Sequence, residues 1–311
     1  MKITIVGQGR VGSTLAYTLL LRGLSDELVL LNRRRKIAEG ESLDLQHAEA
    51  FISHPTVIRP GGVDETAGSD IIIICSSVPW NQKYTSRFDI GYDNLKMIRE
   101  VIPPLAKASP DAKVLVITNP VDVMTYHAIK LTGFGPKRVF GTGTLIDSAR
   151  FRTMLSVKMG IHPDDLRVYI LGEHGDTQFP LFSKAMAGGG CILESKATHK
   201  IFRKASRAGF DVVHQKGHTN FAISMAATLV IEAMVWDTRR TIPLSVLVDG
   251  FMDVHDVCLS LPVVVGKDGI NQVLEPDLEE GEVAAFQKCA AIVREGIERS
   301  LGNMFSKPDS T

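Results

Sequence analysis

The sequence predicts an α/β protein: an N-terminal doubly wound parallel sheet over residues 1–145, followed by an α+β domain over residues 146–311. Three observations carry this. Four short runs, Ile3–Val6, Leu28–Leu31, Ile71–Cys75 and Val114–Thr118, are apolar or β-branched throughout. Helical patterns at Val11–Leu21, Ile37–Ala50 and Tyr92–Ala108 lie between them. The alternation gives way to a different pattern near residue 145, and 311 residues exceed the ~100–200 of an ordinary domain.

Each element has its own warrant. Continuous apolar runs suit strands buried on both faces, as in a parallel sheet. Val139–Phe140 is long enough for one more short strand. Asp147–Met159 reads as a helix and Arg167–Leu171 as a strand, and Gly188-Gly189-Gly190 is a loop or a turn between strands. A long helix is expected over Lys200–Trp236, with a break near Gly217. Strand-like runs follow at Ser245–Val248, Val257–Leu261 and Val263–Val265. In the closing segment Glu282–Ser300, the residues Val283, Phe286, Ala290, Val293 and Ile297 recur at spacings of three and four, one apolar face of a helix.

Composition excludes several classes. Hydrophobic residues make up 44% and charged residues 23%, ordinary for a globular chain. Thirty-five basic residues balance 35 acidic ones, so no net charge draws the protein to nucleic acid or to an anionic membrane. The four cysteines contain no CxxC pair, which argues against a disulfide framework or a structural zinc and for a reducing compartment. The N-terminal apolar run is shorter than the ~7–15 residues of a secretory leader. No run approaches the ~18 apolar residues of a membrane span. The expectation is a cytoplasmic protein without a metal.

Gly7-Gln8-Gly9-Arg10-Val11-Gly12 is G-x-G-x-x-G between the first predicted strand and the first predicted helix. In that context Gly7 makes the tight turn, Gly9 lets backbone approach a pyrophosphate, and Gly12 lets the helix pack on the strand. The N–H groups of the helix start, at Arg10 and Val11, then face the phosphates. This is the Rossmann dinucleotide fingerprint. The second strand ends at Leu31, where NAD-binding chains place an acidic residue for the ribose hydroxyls. Here the residue is Asn32, followed by Arg33. A neutral Asn does not repel a 2′-phosphate and an Arg pairs with one, so NADP(H) is favoured and NAD(H) is the alternative.

Residues 171–176 read Leu-Gly-Glu-His-Gly-Asp. A histidine between glycines at a strand end faces a site, and its ordinary pKa suits proton transfer. Asp147 and Arg150 lie three apart on one helix face. Such a carboxylate orients a histidine, and such a guanidinium holds a substrate carboxylate through two parallel bonds.

Together with the glycine loop, the segments Asn119-Pro120-Val121-Asp122, Gly141–Phe151 and Gly172–Asp176 resemble the L-lactate/malate dehydrogenases, in that order and spacing, along nearly the whole chain. The resemblance implies hydride transfer between a nicotinamide dinucleotide and a small 2-keto or L-2-hydroxy acid. It implies His174 as acid/base, Asp147 as its partner, Arg150 as carboxylate anchor and Arg87 as the loop arginine that polarises the carbonyl. Asn119 is implied at the nicotinamide ribose and the substrate oxygen.

The substrate loop departs from the family. It runs Trp80-Asn81-Gln82-Lys83-Tyr84-Thr85-Ser86-Arg87, one residue longer than the lactate pattern and without its Pro-Gly pair. No arginine between Pro79 and Arg87 meets a second carboxylate, and an unpaired carboxylate in a closed site is costly. Lys83 is the imperfect substitute, and Trp80 is the residue to wall an apolar pocket. Thr219 resembles the lactate enzymes, whereas Asn119–Tyr126 and Pro243–Asp249 also resemble archaeal malate enzymes that use NADP. Lactate-type activity is therefore the expectation and malate dehydrogenase the alternative. A related NAD-dependent glycosidase would need a Cys/His metal pair, which Cys191 and His199 do not supply. The expected assembly is a homodimer or homotetramer.

Overall fold

The computed structural model describes residues 1–79 and 87–302. The chain first alternates strand and helix: β1 (Lys2–Val6), α1 (Arg10–Arg22), β2 (Glu27–Leu31), α2 (Arg35–Glu49), β3 (Val57–Gly61), β4 (Ile71–Ile74), α3 (Arg87–Ala108), β5 (Lys113–Val116), α4 (Val121–Thr132) and β6 (Val139–Gly141). Then follow α5 (Leu145–Met159), β7 (Leu166–Arg167), β8 (Ile170–Leu171), β9 (Phe179–Pro180), β10 (Met186–Ala187) and β11 (Gly190–Cys191). The chain closes with α6 (Lys196–Lys216), α7 (Phe221–Val235), β12 (Arg240–Val248), β13 (Val257–Gly266), β14 (Gly269–Val273) and α8 (Glu280–Gly302).

The six N-terminal strands run parallel in the order β3-β2-β1-β4-β5-β6, the doubly wound arrangement the sequence predicts. The order reverses between β1 and β4, which opens a crevice at their carboxyl ends. The later strands do not form a separate large sheet. The antiparallel strands β12, β13 and β14 extend the same sheet past β6, through a pairing of Ser245 with Gly141. The predicted strands on either side of Pro262 are one strand, β13. Pro262 faces Pro243 of β12. The Pro262 carbonyl accepts from the Leu274 N–H at 2.8 Å, on the side away from β12, so the two prolines form a non-hydrogen-bonded pair and the β12–β13 ladder forfeits no bond there. Arg167–Leu171 divides into β7 and β8, which pair with different partners.

One apolar core runs the length of the sheet and under the helices on both faces. A second, smaller core joins α5 to α6 through Phe151, whose ring meets Phe182 and Phe202 edge-on at 5.9 and 5.8 Å. That contact sets the distance between the two helices that flank the candidate site. Among the described residues no helix is long and apolar enough to cross a membrane.

One buried group makes stability depend on pH. His127 of α4 is 5% exposed and bonds Ser300 of α8 at 2.8 Å. The Ser300 hydroxyl donates to the Ile297 carbonyl, so His127 Nε2 donates to Ser300. Burial, helped by the charge of Arg99, lowers the His127 pKa to about 4. The unfolded chain therefore binds the extra proton first, and stability falls as pH drops from about 6.5 towards 4. The full effect is about 3 kcal/mol. Melting temperatures measured across that window should decline more steeply for the wild type than for His127→Gln.

Candidate active site

The glycine loop lies at the carboxyl end of β1, at the strand-order reversal. Gly7 has φ +96°, and a Cβ there would lie 2.6 Å from the Ser76 backbone. A Cβ on Gly12 would lie 2.0 Å from the Gly7 carbonyl oxygen. Gly9 is different: nothing stands within 4 Å of its Cβ position, so the space above it is open. Helix α1 starts there with no side-chain cap and no acidic residue in its first turn. An open glycine at an uncapped helix start is a cradle for a phosphate pair. Gln8 Oε1 and Ser76 Oγ at this edge are buried and have no hydrogen-bond partner among the described residues. Arg10 is exposed beside the loop and approaches His218 Nε2 at 3.4 Å, and Val11 accepts from Ser224 of α7 at 3.2 Å. Along the same edge, β2 gives way to Asn32, whose Oδ1 accepts from the Arg34 N–H at 3.0 Å, with Arg33 exposed beside it.

Two helix starts and one turn then converge. Asn119 precedes α4 through a cis peptide to Pro120, is exposed, and its carbonyl accepts from Asn94 of α3 at 2.8 Å. The start of α5 is held by the Thr144 N–H on Ser260 Oγ at 2.9 Å and the Thr144 hydroxyl on the Ile170 carbonyl at 2.5 Å. One turn on, Asp147 has a side chain 2% exposed. The turn after β8 is pinned to β13 by paired bonds between Gly172 and Ser260, at 3.1 and 2.8 Å, and carries His174.

Asp147 joins the two sides. Its Oδ2 lies 2.5 Å from His174 Nδ1, and its Oδ1 accepts from Arg150 Nη1 at 3.1 Å. Burial alone would raise the Asp147 pKa. The charges and hydrogen bonds of His174 and Arg150 outweigh it and hold the carboxyl below its ordinary value. His174 and Arg150 stay partly exposed, at 23% and 18%, so both reach solvent from a buried carboxylate base. Such a triad orients an imidazole, favours its charged form and presents a guanidinium to an incoming anion.

The family follows from the whole chain as well as from this site. Residues 1–141 match the family model for the lactate/malate dehydrogenase NAD binding domain, and residues 144–303 match that for the lactate/malate dehydrogenase alpha/beta C-terminal domain. The chain belongs to the lactate/malate dehydrogenase family. The L-lactate dehydrogenase of Synechococcus sp. (strain JA-3-3Ab) is 38% identical over 96% of this chain and 99% of its own. That of Gloeobacter violaceus is 34% identical over 96% and 93%. Among solved structures, a lactate dehydrogenase from a Medee basin deep-sea metagenome library superposes with TM-score 0.92 at 31% identity, over 96% of this chain and 98% of that one. Membership makes this an oxidoreductase that works with a nicotinamide dinucleotide.

Of the residues expected at the site in this lactate/malate dehydrogenase, the structure brings Asp147, Arg150 and His174 into contact. Asn119 lies at the end of the strand and loop after β5, and Thr219 is half-buried in the link between α6 and α7. Asn32 and Arg33 directly follow the end of β2. Arg87 is the first residue of α3. Trp80 and Lys83 fall outside the described residues, as does the side chain of Arg87.

Two neighbours of the triad were not expected. Asp122, in the first turn of α4, accepts the His174 main-chain N–H at 2.7 Å. Gly209, inside α6, lies against the Arg150 guanidinium, where a Cβ would come within 3.1 and 3.2 Å of its terminal nitrogens. A glycine within a helix costs about 1 kcal/mol relative to alanine, and that is the sequence signal for Gly209. In Gly209→Ala the helix gains propensity and Arg150 is displaced by a few tenths of an ångström. The expected result is an unchanged or raised melting temperature with KM for a keto acid raised about three- to tenfold. Steady-state kinetics beside a melting curve check it.

Proposed function

We propose that this chain is an L-2-hydroxyacid dehydrogenase of the lactate type, with His174, Asp147 and Arg150 carrying the chemistry. The observation that carries the reading is the buried Asp147 carboxylate held between an imidazole and a guanidinium. When bound, the reduced nicotinamide supplies a hydride. The Gly7, Gly9 and Gly12 loop, with the N–H groups of Arg10 and Val11, holds the pyrophosphate, and Asn119 meets the nicotinamide ribose and the substrate oxygen. Arg150 takes the substrate carboxylate in a two-bond clamp. With Nδ1 on Asp147, His174 gives its proton from Nε2 to the keto oxygen. Asp147 stabilises the imidazolium before the transfer, and Arg87 polarises the carbonyl.

The substrate we infer is a monocarboxylic 2-keto acid such as pyruvate. The relatives' names, the lactate-type Thr219 in the link between α6 and α7 and the lack of an arginine between Pro79 and Arg87 support it. In this reading Trp80 walls the side-chain pocket, and Lys83 is the only loop cation ahead of Arg87. For the cofactor the reading favours NADP(H), on the Asn32-Arg33 pair where a ribose-binding carboxylate would stand, with NAD(H) as the alternative. A grid of kcat/KM for pyruvate, 2-ketoisocaproate and oxaloacetate, each with NADH and NADPH, tests both choices. Oxaloacetate as best substrate would overturn the first, and equal or better use of NADH the second. We also infer a homodimer or homotetramer. Tyr17, Leu21, Leu43, Phe221 and Met225 expose large apolar side chains, and light scattering at one chain's mass would refute it.

A further inference from the structure

Asp122 is 3% exposed and has no cationic partner among its hydrogen bonds. Burying a carboxylate that way is costly, and burial pushes its pKa up to about 6. An acidic residue in a first helical turn ordinarily serves the N-terminus of its own helix. This one serves other elements. Its Oδ2 accepts the His174 main-chain N–H at 2.7 Å, and its Oδ1 accepts the Ser245 hydroxyl of β12 at 2.6 Å. Helix α4, which bears it, begins two residues after Asn119.

We propose that Asp122 is a positioning residue: it fixes the backbone of the His174 turn to the helix that follows Asn119 and to the sheet at Ser245. Two carboxylates then hold one histidine. Asp147 sets its ring and Asp122 sets its main chain, so the proton donor keeps a constant place relative to the end of β5. The rest of the turn is tied to β13, to α8 and to itself, through Gly172 on Ser260, the Cys289 thiol on the Thr177 carbonyl at 3.1 Å and Gln178 Nε2 on the Gly175 carbonyl at 2.7 Å. Asp122 is the residue that joins the segment bearing His174 to α4. The other titratable groups around Asp122 are Glu173 and His174 of the turn, Cys258 of β13 and Cys289 of α8.

The inference rests on the functional reading above, and its test separates the two. The full-length variants are Asp122→Ala, Asp122→Asn and Ser245→Ala. They are read by melting temperature, kcat, KM, cofactor Kd, the deuterium isotope effect with 4-deuterated reduced cofactor, and the His174 imidazole resonances in cofactor-free protein. Asp122→Ala should lower kcat about 10- to 100-fold. Its cofactor Kd should stay near the wild-type value, and its His174 resonances should shift or broaden. Asp122→Asn keeps an oxygen for the His174 N–H and should recover most of the loss, with Ser245→Ala in between. Equal kcat in the Ala and Asn variants, a loss that only follows the unfolded fraction, or unmoved His174 resonances in Asp122→Ala would overturn it. A wild type that reduces no 2-keto acid would refute the functional reading, while the resonances would still decide the role of Asp122.

Discussion

Replacing His174 with Asn should lower kcat by about 10²–10⁴-fold, the range that one positioned acid/base supplies. The Asn side chain keeps a donor for Asp147, so the carboxylate base stays paired and the fold is undisturbed. Binding of the reduced cofactor, measured by nicotinamide fluorescence, should not change, because the phosphate cradle between β1 and α1 does not include His174. The pH profile is the sharper readout: residual activity should lose the limb that reports a titrating acid/base. Unchanged kcat would remove His174 from the chemistry.

Arg150→Lys should be nearly as damaging, by a different route. Arg150 already gives one N–H to Asp147 at 3.1 Å, and its guanidinium retains further donors for a substrate. Lysine offers a point charge with no planar fork. Breaking a hydrogen-bonded charge pair costs about 2–5 kcal/mol, so kcat/KM for a keto acid should fall roughly 30- to 4,000-fold. Most of the loss should lie in KM. If Arg150→Lys affected kcat and KM equally, its role would extend to the transition state. An unaffected KM would place the carboxylate elsewhere.

Much of this site is legible in the sequence because its parts are local. The glycine loop follows a run of β-branched residues. The Asp147–Arg150 pair follows from helical spacing, and the glycines about His174 mark a turn. What the sequence hid depends on long-range packing. Helix α4 is buried nearly all round, so it has no apolar stripe to betray its period. Strand β3 lies at the sheet edge and contains Arg59 and Pro60, so it lacks the continuous apolar run of its neighbours. The merging of β12 to β14 with the N-terminal sheet rests on the bridge between Ser245 and Gly141, which are 104 positions apart by their numbers. Asp122 was hidden for the same reason: its partners, His174 and Ser245, are 52 and 123 residues away.

The claim at the centre of this account is that a keto acid held by Arg150 receives a hydride from the reduced dinucleotide and a proton from His174 at one site. Its most direct test follows the hydride into the product. Purified protein would be given pyruvate with 4-deuterated reduced dinucleotide of the transferring configuration, and the product examined by NMR and chiral chromatography. The account predicts L-lactate with deuterium at C2. Product of the D configuration, product without deuterium at C2, or no product with either NADH or NADPH would contradict it.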